Sequence, residues 1–151
     1  MAARYTASGD QTLTTTAVTA LTVGSNATTA NRLYLEEYSL QNVGTPADLV
    51  TLHTLQRVTA LGTGTLVTAT KKDMADRVAQ AACAENHTAE PTYTAAEELY
   101  EDGLNHRGKY RWVAGPGQEV VVPATVAAGL GFKALHASAV TDWRALAAWR
   151  E

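Results

Sequence analysis

Isoleucine is absent from this chain, and cysteine occurs once, as Cys83. A single cysteine excludes an intrachain disulfide, and its Ala-rich surroundings favour a small buried side chain over a thiol activated by His87. Charged residues make up 18% of the chain, below the roughly 25% that is typical of soluble domains. Alanine and threonine together supply 50 of the 151 residues. This composition predicts a weakly charged surface that is suited to contact with other subunits.

Strong positive charge and long apolar runs are also missing. The net charge is −3 and the isoelectric point is near 5.8. A nucleic-acid-binding domain normally carries a basic face, so we expect no nucleic-acid partner. No window approaches the ~20 apolar residues of a membrane span, and residues 1–10 lack the apolar segment of a secretory signal peptide. We therefore expect a protein that is made in a cytoplasm and has no membrane partner.

The residues that most often carry chemistry are present, but their spacing fits no known site. The glycine clusters lack the spacing of phosphate-binding loops, and there is no nucleophile-elbow motif. No two histidines lie at metal-ligand spacing on one element, so we interpret all four as structural. We predict no catalytic residue, no metal site and no cofactor, and hence no enzyme. The four histidines are His53, His87, His106 and His136.

The carboxylates occur in two groups. Glu36 and Glu37 are adjacent on a predicted strand, where neighbouring side chains point to opposite faces, so they are not expected to cooperate. The acids within 97–102 lack the spacing of a calcium-binding loop. We interpret them as a solvated patch or a partner-facing surface. A polysaccharide hydrolase that uses these acids is the enzymatic alternative.

Alternation of apolar and polar residues, rather than helical spacing, dominates the chain. Runs rich in Val, Thr and Leu are bounded by Gly, Pro, Asn or Ser at hairpin spacing. This pattern predicts an all-β fold, an antiparallel β-sandwich of jelly-roll type. Strands are predicted at 11–23, 32–43, 48–58, 64–70, 91–103, 108–114, 118–123, 129–140 and 143–151, with a short helix as the alternative for 91–103.

One segment, residues 71–91, departs from this alternation. Met74 and Val78 recur at helical spacing, Asp73 is a possible N-cap, and Pro91 would end a helix. We predict either a short helix or a long loop inserted into the sandwich here, and we favour the helix.

Three sequence features lie in two segments of the chain, one in 38–68 and two in 108–140. They are "LQRVTALGTGT", "RWVAGPGQE" and the pair "VVPA" and "GLGF". Together the segments resemble small virion structural proteins of tailed bacteriophages that decorate or cement the head. The resemblance implies a jelly-roll subunit that forms a homotrimer on the outer capsid surface and clamps neighbouring major capsid proteins. It transfers no catalytic or binding residue to this chain.

The two ends of the chain carry the candidate partner contacts. Residues 1–10 are interpreted as an N-terminal arm before a single β-sandwich domain at 11–151, and such an arm can add a strand to a neighbour. Tryptophan and arginine near the C-terminus are the residue types that dominate interface hot spots. A frayed terminus and core packing of the tryptophans are the alternatives. The candidate contacts are Arg4, Tyr5, Trp143, Arg144, Trp149 and Arg150.

A second class of function is a carbohydrate- or receptor-binding β-sandwich module on a phage tail or fibre. It would require a concave face with exposed aromatic side chains. A shell-forming jelly roll is a weaker alternative, because the chain is short for a major capsid protein.

Overall fold

Two antiparallel β-sheets pack as a sandwich in a computed structural model that describes residues 2–14, 16–135 and 141–151. This part of the chain contains twelve strands and no helix, which confirms the predicted all-β sandwich. In chain order the strands are β1 (Arg4–Leu13), β2 (Val18–Gly24), β3 (Leu33–Asn42), β4 (Val50–Ala60), β5 (Thr63–Leu66), β6 (Thr70–Lys71), β7 (Ala82–Ala89), β8 (Thr92–Asn105), β9 (Lys109–Val113), β10 (Val120–Val122), β11 (Gly129–Leu135) and β12 (Thr141–Arg150).

Strands that are far apart in sequence lie side by side in nested pairs. β1 pairs with β12, β2 with β11, β3 with both β9 and β10, and β4 with β8. Contacts of β3 with β12 and of β4 with β11 join these pairs into two sheets. Sheet 1 has the order β10–β3–β12–β1–β6, with β9 also beside β3, and sheet 2 has the order β5–β7–β2–β11–β4–β8.

The core is built from the inward-facing residues of both sheets. Along β12, Trp143, Ala145 and Ala147 are fully buried while Asp142 and Arg144 are exposed, as the period of two along a strand requires. Aromatic rings join the two sheets at the centre, where the ring centroid of Tyr38 in sheet 1 lies 5.5 Å from that of Phe132 in sheet 2. Aromatic pairs at this distance stabilise a core beyond the area that they bury.

An N-terminal arm separate from the domain, as predicted for residues 1–10, is not what the structure shows. β1 begins at Arg4, and its ten residues pair continuously with β12. Tyr5 and Thr6 also pair with β6 on the other side. The segment is held because a strand at this position satisfies its main-chain hydrogen bonds from both neighbours.

The helix favoured within 71–91 is also wrong. Met74 and Val78, the apolar residues at helical spacing, are 92% and 75% exposed, so a helix would have no buried face to stabilise it. Asp73 instead closes a tight turn in which its side chain accepts the N–H of Ala75 at 2.9 Å. Residues 72–81 form a loop without strand or helix, as in the alternative prediction, and residues 82–89 join sheet 2 as β7.

Glu151 fixes the end of this loop from the far terminus of the chain. Its carboxylate oxygens accept the main-chain N–H groups of Gln80 and Ala81, each at 3.0 Å, and the indole N–H of Trp149 at 3.3 Å. The side chain of Glu151 is only 1% exposed, and Arg77 lies 3.7 Å from it. The loop is therefore held by an acceptor some seventy residues away in sequence.

A β-bulge in β3 changes the direction of one side chain. Ala148 pairs with Glu37 but Trp149 pairs with Leu35, so Glu36 is an extra residue without a partner on β12. An extra residue interrupts the alternation of faces. Glu36 and Glu37 are consequently both half-buried on the outer side of sheet 1, and the expectation that they point to opposite faces is wrong.

β8 is the last strand of sheet 2. The N–H of His106 donates to the carbonyl of Leu49, so these two residues form a hydrogen-bonded pair between β4 and β8. Hydrogen-bonded and non-hydrogen-bonded pairs alternate along antiparallel strands. Gly103, the partner of Leu52, therefore belongs to a non-hydrogen-bonded pair, and its N–H points away from β4. The carboxylate of Asp102 accepts this N–H at 2.8 Å.

His53 on β4 lies inside the sandwich and packs against β9. Its ring centroid is 4.4 Å from that of Tyr110, and within the described residues neither ring nitrogen has a hydrogen-bond partner. Burial lowers the pKa of His53, and the carboxylate of Asp102 opposes this shift. Burial therefore favours the neutral imidazole over its protonated form.

The burial of His53 predicts that the folded protein becomes less stable in acid. With a folded pKa below the unfolded value of about 6.5, the unfolded chain binds more protons as the pH falls. The free energy of unfolding should be level above about pH 6.5 and fall below it, by at most about 1.4 kcal/mol per pH unit for one proton. Urea unfolding of the wild type and of His53→Phe between pH 5 and 8 measures the difference. Equal slopes for the two proteins would contradict the prediction.

Candidate functional site

The six candidate contact residues are divided by the pleat of sheet 1. In the pairing of β1 with β12, Arg4 lies opposite Arg150 and Tyr5 lies opposite Trp149. Farther along, Arg144 lies opposite Asp10. Every aromatic member of the set points inward and every arginine points outward, because neighbouring residues of a strand face opposite sides.

The aromatic members belong to the core of their own chain. Tyr5 and Trp143 are fully buried and Trp149 is 1% exposed. The rings of Tyr5 and Trp149 lie 5.9 Å apart, and the hydroxyl of Tyr5 donates to the carbonyl of Arg77 at 3.0 Å. Core packing, the alternative from the sequence, is therefore what the structure shows, and these side chains offer no surface to a partner.

The three arginines share one surface, the outer face of sheet 1. We use this name for the outward-facing side chains of β1, β3, β9 and β12. Its centre is made of the small, buried residues Ser39 and Ala148 and the half-buried Leu146. Besides these three arginines, its charged residues are Asp10, Glu36, Glu37, Lys109, Arg111 and Asp142.

A trough crosses one end of this face. It consists of two adjoining depressions of about 650 and 390 Å³, both lined by Arg4, Glu36, Lys72 and Glu119. Asp73 and Asp76 of the loop before β7 line the larger depression. Residues 113–116, which connect β9 to β10, line the smaller one. Two loops thus form the sides of the trough, and sheet 1 forms its floor.

On the floor of the trough, two arginines lie side by side and share an ion pair with one glutamate. Arg4 and Arg150 are directly opposite on neighbouring strands, which would be destabilising by itself. One oxygen of Glu36 lies 3.3 Å from Nε of Arg4 and 3.6 Å from Nε of Arg150. Arg150 also lies 3.4 Å from Glu119, and its guanidinium is 4.1 Å from the ring centroid of Tyr34. The bulge that turns Glu36 outward therefore completes this network.

The second acid of the bulge pairs with a different arginine. Nε of Arg111 donates to Glu37 at 2.6 Å, and this hydrogen bond lowers the pKa of Glu37, with smaller contributions from the charges of Lys72 and Lys109. The ammonium of Lys72 itself forms no hydrogen bond or ion pair with another described residue. It is the cation of the trough whose hydrogen-bond donors are uncommitted.

Arg144 lies at the other end of the outer face. Its guanidinium makes two hydrogen bonds of 2.6 Å to the two carboxylate oxygens of Asp10. The same geometry raises the pKa of Arg144. The structure therefore brings Arg4 and Arg150 together in the trough and places Arg144 apart from them.

Sequence reasoning missed six charged members of the trough: Glu36, Glu37, Lys72, Asp73, Asp76 and Glu119. The alternation of residues does not reveal the bulge at Glu36. Lys72 lies in the segment for which a helix is favoured. Glu119 follows the turn at 115–117, where the pattern of residues does not predict which way a side chain points. The pairing of β3 with β10 brings Glu36 and Glu119 together, and the hydrogen bond from the main-chain N–H of Lys72 to the carbonyl of Arg4 places Lys72 near them.

The other side chains that could carry chemistry are buried or form hydrogen bonds within their own chain. Burial raises the pKa of Cys83 to about 12, so its thiol is neutral. Cys83 and His87 lie four residues apart on β7, too far along a strand for hydrogen bonding. The ring of His87 instead faces the carbonyl of Thr19 and the hydroxyl of Thr22, each at 3.2 Å. His136 and the predicted strand residues 136–140 lie outside the described residues.

The acids of β8 contact their own chain. Glu97 lies 3.7 Å from Arg57, and Glu98 accepts a hydrogen bond of 2.9 Å from Gln56. No group of three His, Cys, Asp or Glu residues in 2–14, 16–135 and 141–151 is arranged to hold a metal ion.

Comparisons of the chain with protein-family models, with curated proteins and with solved structures find no match. Across the described residues, no helix has the length and apolar character needed to span a membrane.

Proposed function

We propose that this protein is a virion structural protein, a decoration or cement subunit that binds the outer surface of a phage head and clamps neighbouring major capsid proteins. The observation that carries the proposal is the outer face of sheet 1, where Arg4, Arg144 and Arg150 project from one face of a continuously paired sheet. Arginine is enriched in protein interfaces, and a paired sheet loses little conformational entropy when it binds.

The strand order supports this proposal. Four nested strand pairs joined into two sheets are the arrangement expected of the jelly roll that we propose. Jelly rolls are common among viral capsid domains, and this supports a virion role.

The clamping role rests on repetition of weak contacts. Exposed ion pairs contribute little individually, and the outer face has few large apolar side chains. A homotrimer presents three copies of the face, and linking three weak contacts raises the overall affinity through effective concentration. We therefore propose self-association into a trimer together with binding to the major capsid protein at the capsid surface.

Carbohydrate binding, the alternative from the sequence, has less support. All ten aromatic residues of the chain are described, and each is buried or half-buried. Tyr34 on β3 is half-buried, and its ring lies against the guanidinium of Arg150. A sugar-binding face of exposed rings is not present, whereas the charged face suits a protein partner.

The test is the mass of the purified protein in solution, measured by light scattering, followed by co-sedimentation with phage heads that lack it. We expect three times the 16.0 kDa mass of one chain and saturable sedimentation with heads. A monomer that stays in the supernatant would contradict the proposal, and a signal on a glycan array would then favour the carbohydrate-binding alternative.

A further inference from the structure

We infer that His53, Asp102 and the main-chain N–H of Gly103 form an acid-responsive latch at the edge of sheet 2. While His53 is neutral, the carboxylate of Asp102 accepts the N–H of Gly103 at 2.8 Å. When His53 gains a proton, the carboxylate turns to the imidazolium and releases that N–H. This device is independent of the proposed function.

The pairing of β4 with β8 brings the carboxylate to the imidazole. His53 and Asp102 lie directly opposite each other, and side chains at such positions share one face of the sheet, with Cβ atoms about 5 Å apart. His53 is 1% exposed and points into the sandwich, so the side chain of Asp102 starts from the same inner face. Because β8 is the last strand of sheet 2, Asp102 stays exposed at the open side of the sandwich.

Among the described residues, Asp102 is the group that can pair with a charged His53. Neither ring nitrogen of His53 forms a hydrogen bond within this part of the chain, and the ring packs against Tyr110 with 4.4 Å between the centroids. Tyrosine carries no charge at acid or neutral pH. Ala134, the partner of His53 on β11, is apolar.

The surroundings of His53 contain few other groups that titrate. The remaining titratable side chains on the inner faces of the neighbouring strands are Tyr38 on β3, Tyr100 on β8, and His106, which lies 2.6 Å from the hydroxyl of Thr51. The charged neighbours of Asp102 and Tyr110 along their own strands, Glu101, Lys109 and Arg111, point to the outer faces.

Two groups compete for the carboxylate of Asp102 from opposite directions. The N–H of Gly103 points away from β4, whereas His53 belongs to β4, so the carboxylate leans one way to reach the first and the other way to reach the second. An imidazolium brings an opposite charge and a second N–H donor. In a half-buried position, a pair in which both groups are charged is stronger than a pair with a neutral amide. Protonation of His53 therefore transfers the carboxylate.

The latch responds to acid and not to base. Burial lowers the pKa of His53, and the carboxylate of Asp102 opposes this shift. His53 therefore takes up its proton below about pH 6.5, the ordinary value for histidine. Above that pH the N–H of Gly103 keeps its acceptor, and below the midpoint of His53 the N–H is released to solvent.

The experiment is an NMR titration of the whole chain between pH 8 and 5, following the Cε1–H of His53 and the amide proton of Gly103. We expect both resonances to move with one shared midpoint. In Asp102→Asn the midpoint of His53 should fall by about 1 pH unit, because the imidazolium loses a nearby opposite charge. The amide of Gly103 should stay unchanged across this range in Asp102→Asn and in His53→Phe.

Glu101→Gln is the matched control, because it removes the adjacent carboxylate from the outer face of the same strand. It should leave the shared midpoint in place, and far-UV circular dichroism at each pH establishes that the chain remains folded. An amide of Gly103 that stays fixed while His53 titrates would overturn the inference, as would equal midpoint shifts in Asp102→Asn and Glu101→Gln. A His53 that stays neutral down to pH 5, or a chain that unfolds before His53 is protonated, would also overturn it.

Discussion

Replacing Trp143 with alanine should lower the free energy of unfolding by about 3–5 kcal/mol. The side chain is fully buried between the sheets, and its ring centroid lies 5.8 Å from that of His106. Truncation removes a large apolar surface from the core and leaves a cavity that paired strands cannot close. Equilibrium unfolding in urea, followed by tryptophan fluorescence and far-UV circular dichroism, measures the loss.

The neighbouring residue provides the control. Arg144→Ala removes an exposed ion pair with Asp10 and should cost less than about 1 kcal/mol. Similar losses for the two variants would contradict the division of this strand into an inner and an outer face. Trp143→Phe should fall between them, because it keeps an aromatic ring in the core.

The second large effect is expected at Glu151. Glu151→Leu keeps much of the volume of the side chain but removes both acceptor oxygens, so the N–H groups of Gln80 and Ala81 lose their partners. Leaving such half-buried donors unsatisfied costs about 1–3 kcal/mol. The loop at 72–81 should then open more often, and trypsin should cleave after Lys72 and Arg77 roughly 5- to 100-fold faster.

The rate of tryptic cleavage under native conditions, with the sites identified by mass spectrometry, tests this expectation. Glu97→Leu is the matched control, because that side chain is 48% exposed and its contact with Arg57 is an ion pair at the surface. Unchanged cleavage within the loop of Glu151→Leu would show that the carboxylate does not hold the segment.

The alternation of residues carried enough information to predict many of the strands, but not β1 or β7. Confirmed examples are the strand predicted at 143–151, which is β12, and the one at 32–43, which is β3. Alternation reports which residues of a strand share a face, and burial of one face enforces it. It does not report which strands are neighbours. The pairing of Arg4 with Arg150 depends on contacts across almost the whole chain, so the trough could not be predicted.

The errors also have identifiable physical causes. A bulge needs only one extra residue, and nothing in the composition around Glu36 marks it. The segment 71–91 has helical spacing, but Glu151 supplies acceptors for two of its N–H groups from the other end of the chain. A helix would have satisfied such groups internally. Local pattern was therefore overridden by a tertiary contact that local sequence does not encode.

The hydrogen bond from Gly103 to Asp102 at the edge of sheet 2 bears on how the chain behaves when it is concentrated. The last strand of a sheet can template another strand, and unlimited repetition of that step produces fibrils. On β8 the outward N–H of Gly103 already has an acceptor, and Glu97, Glu98 and Glu101 are exposed nearby. The β8 strands of two copies would repel each other through these negative charges. Many copies can therefore be concentrated without pairing through β8 into one continuous sheet.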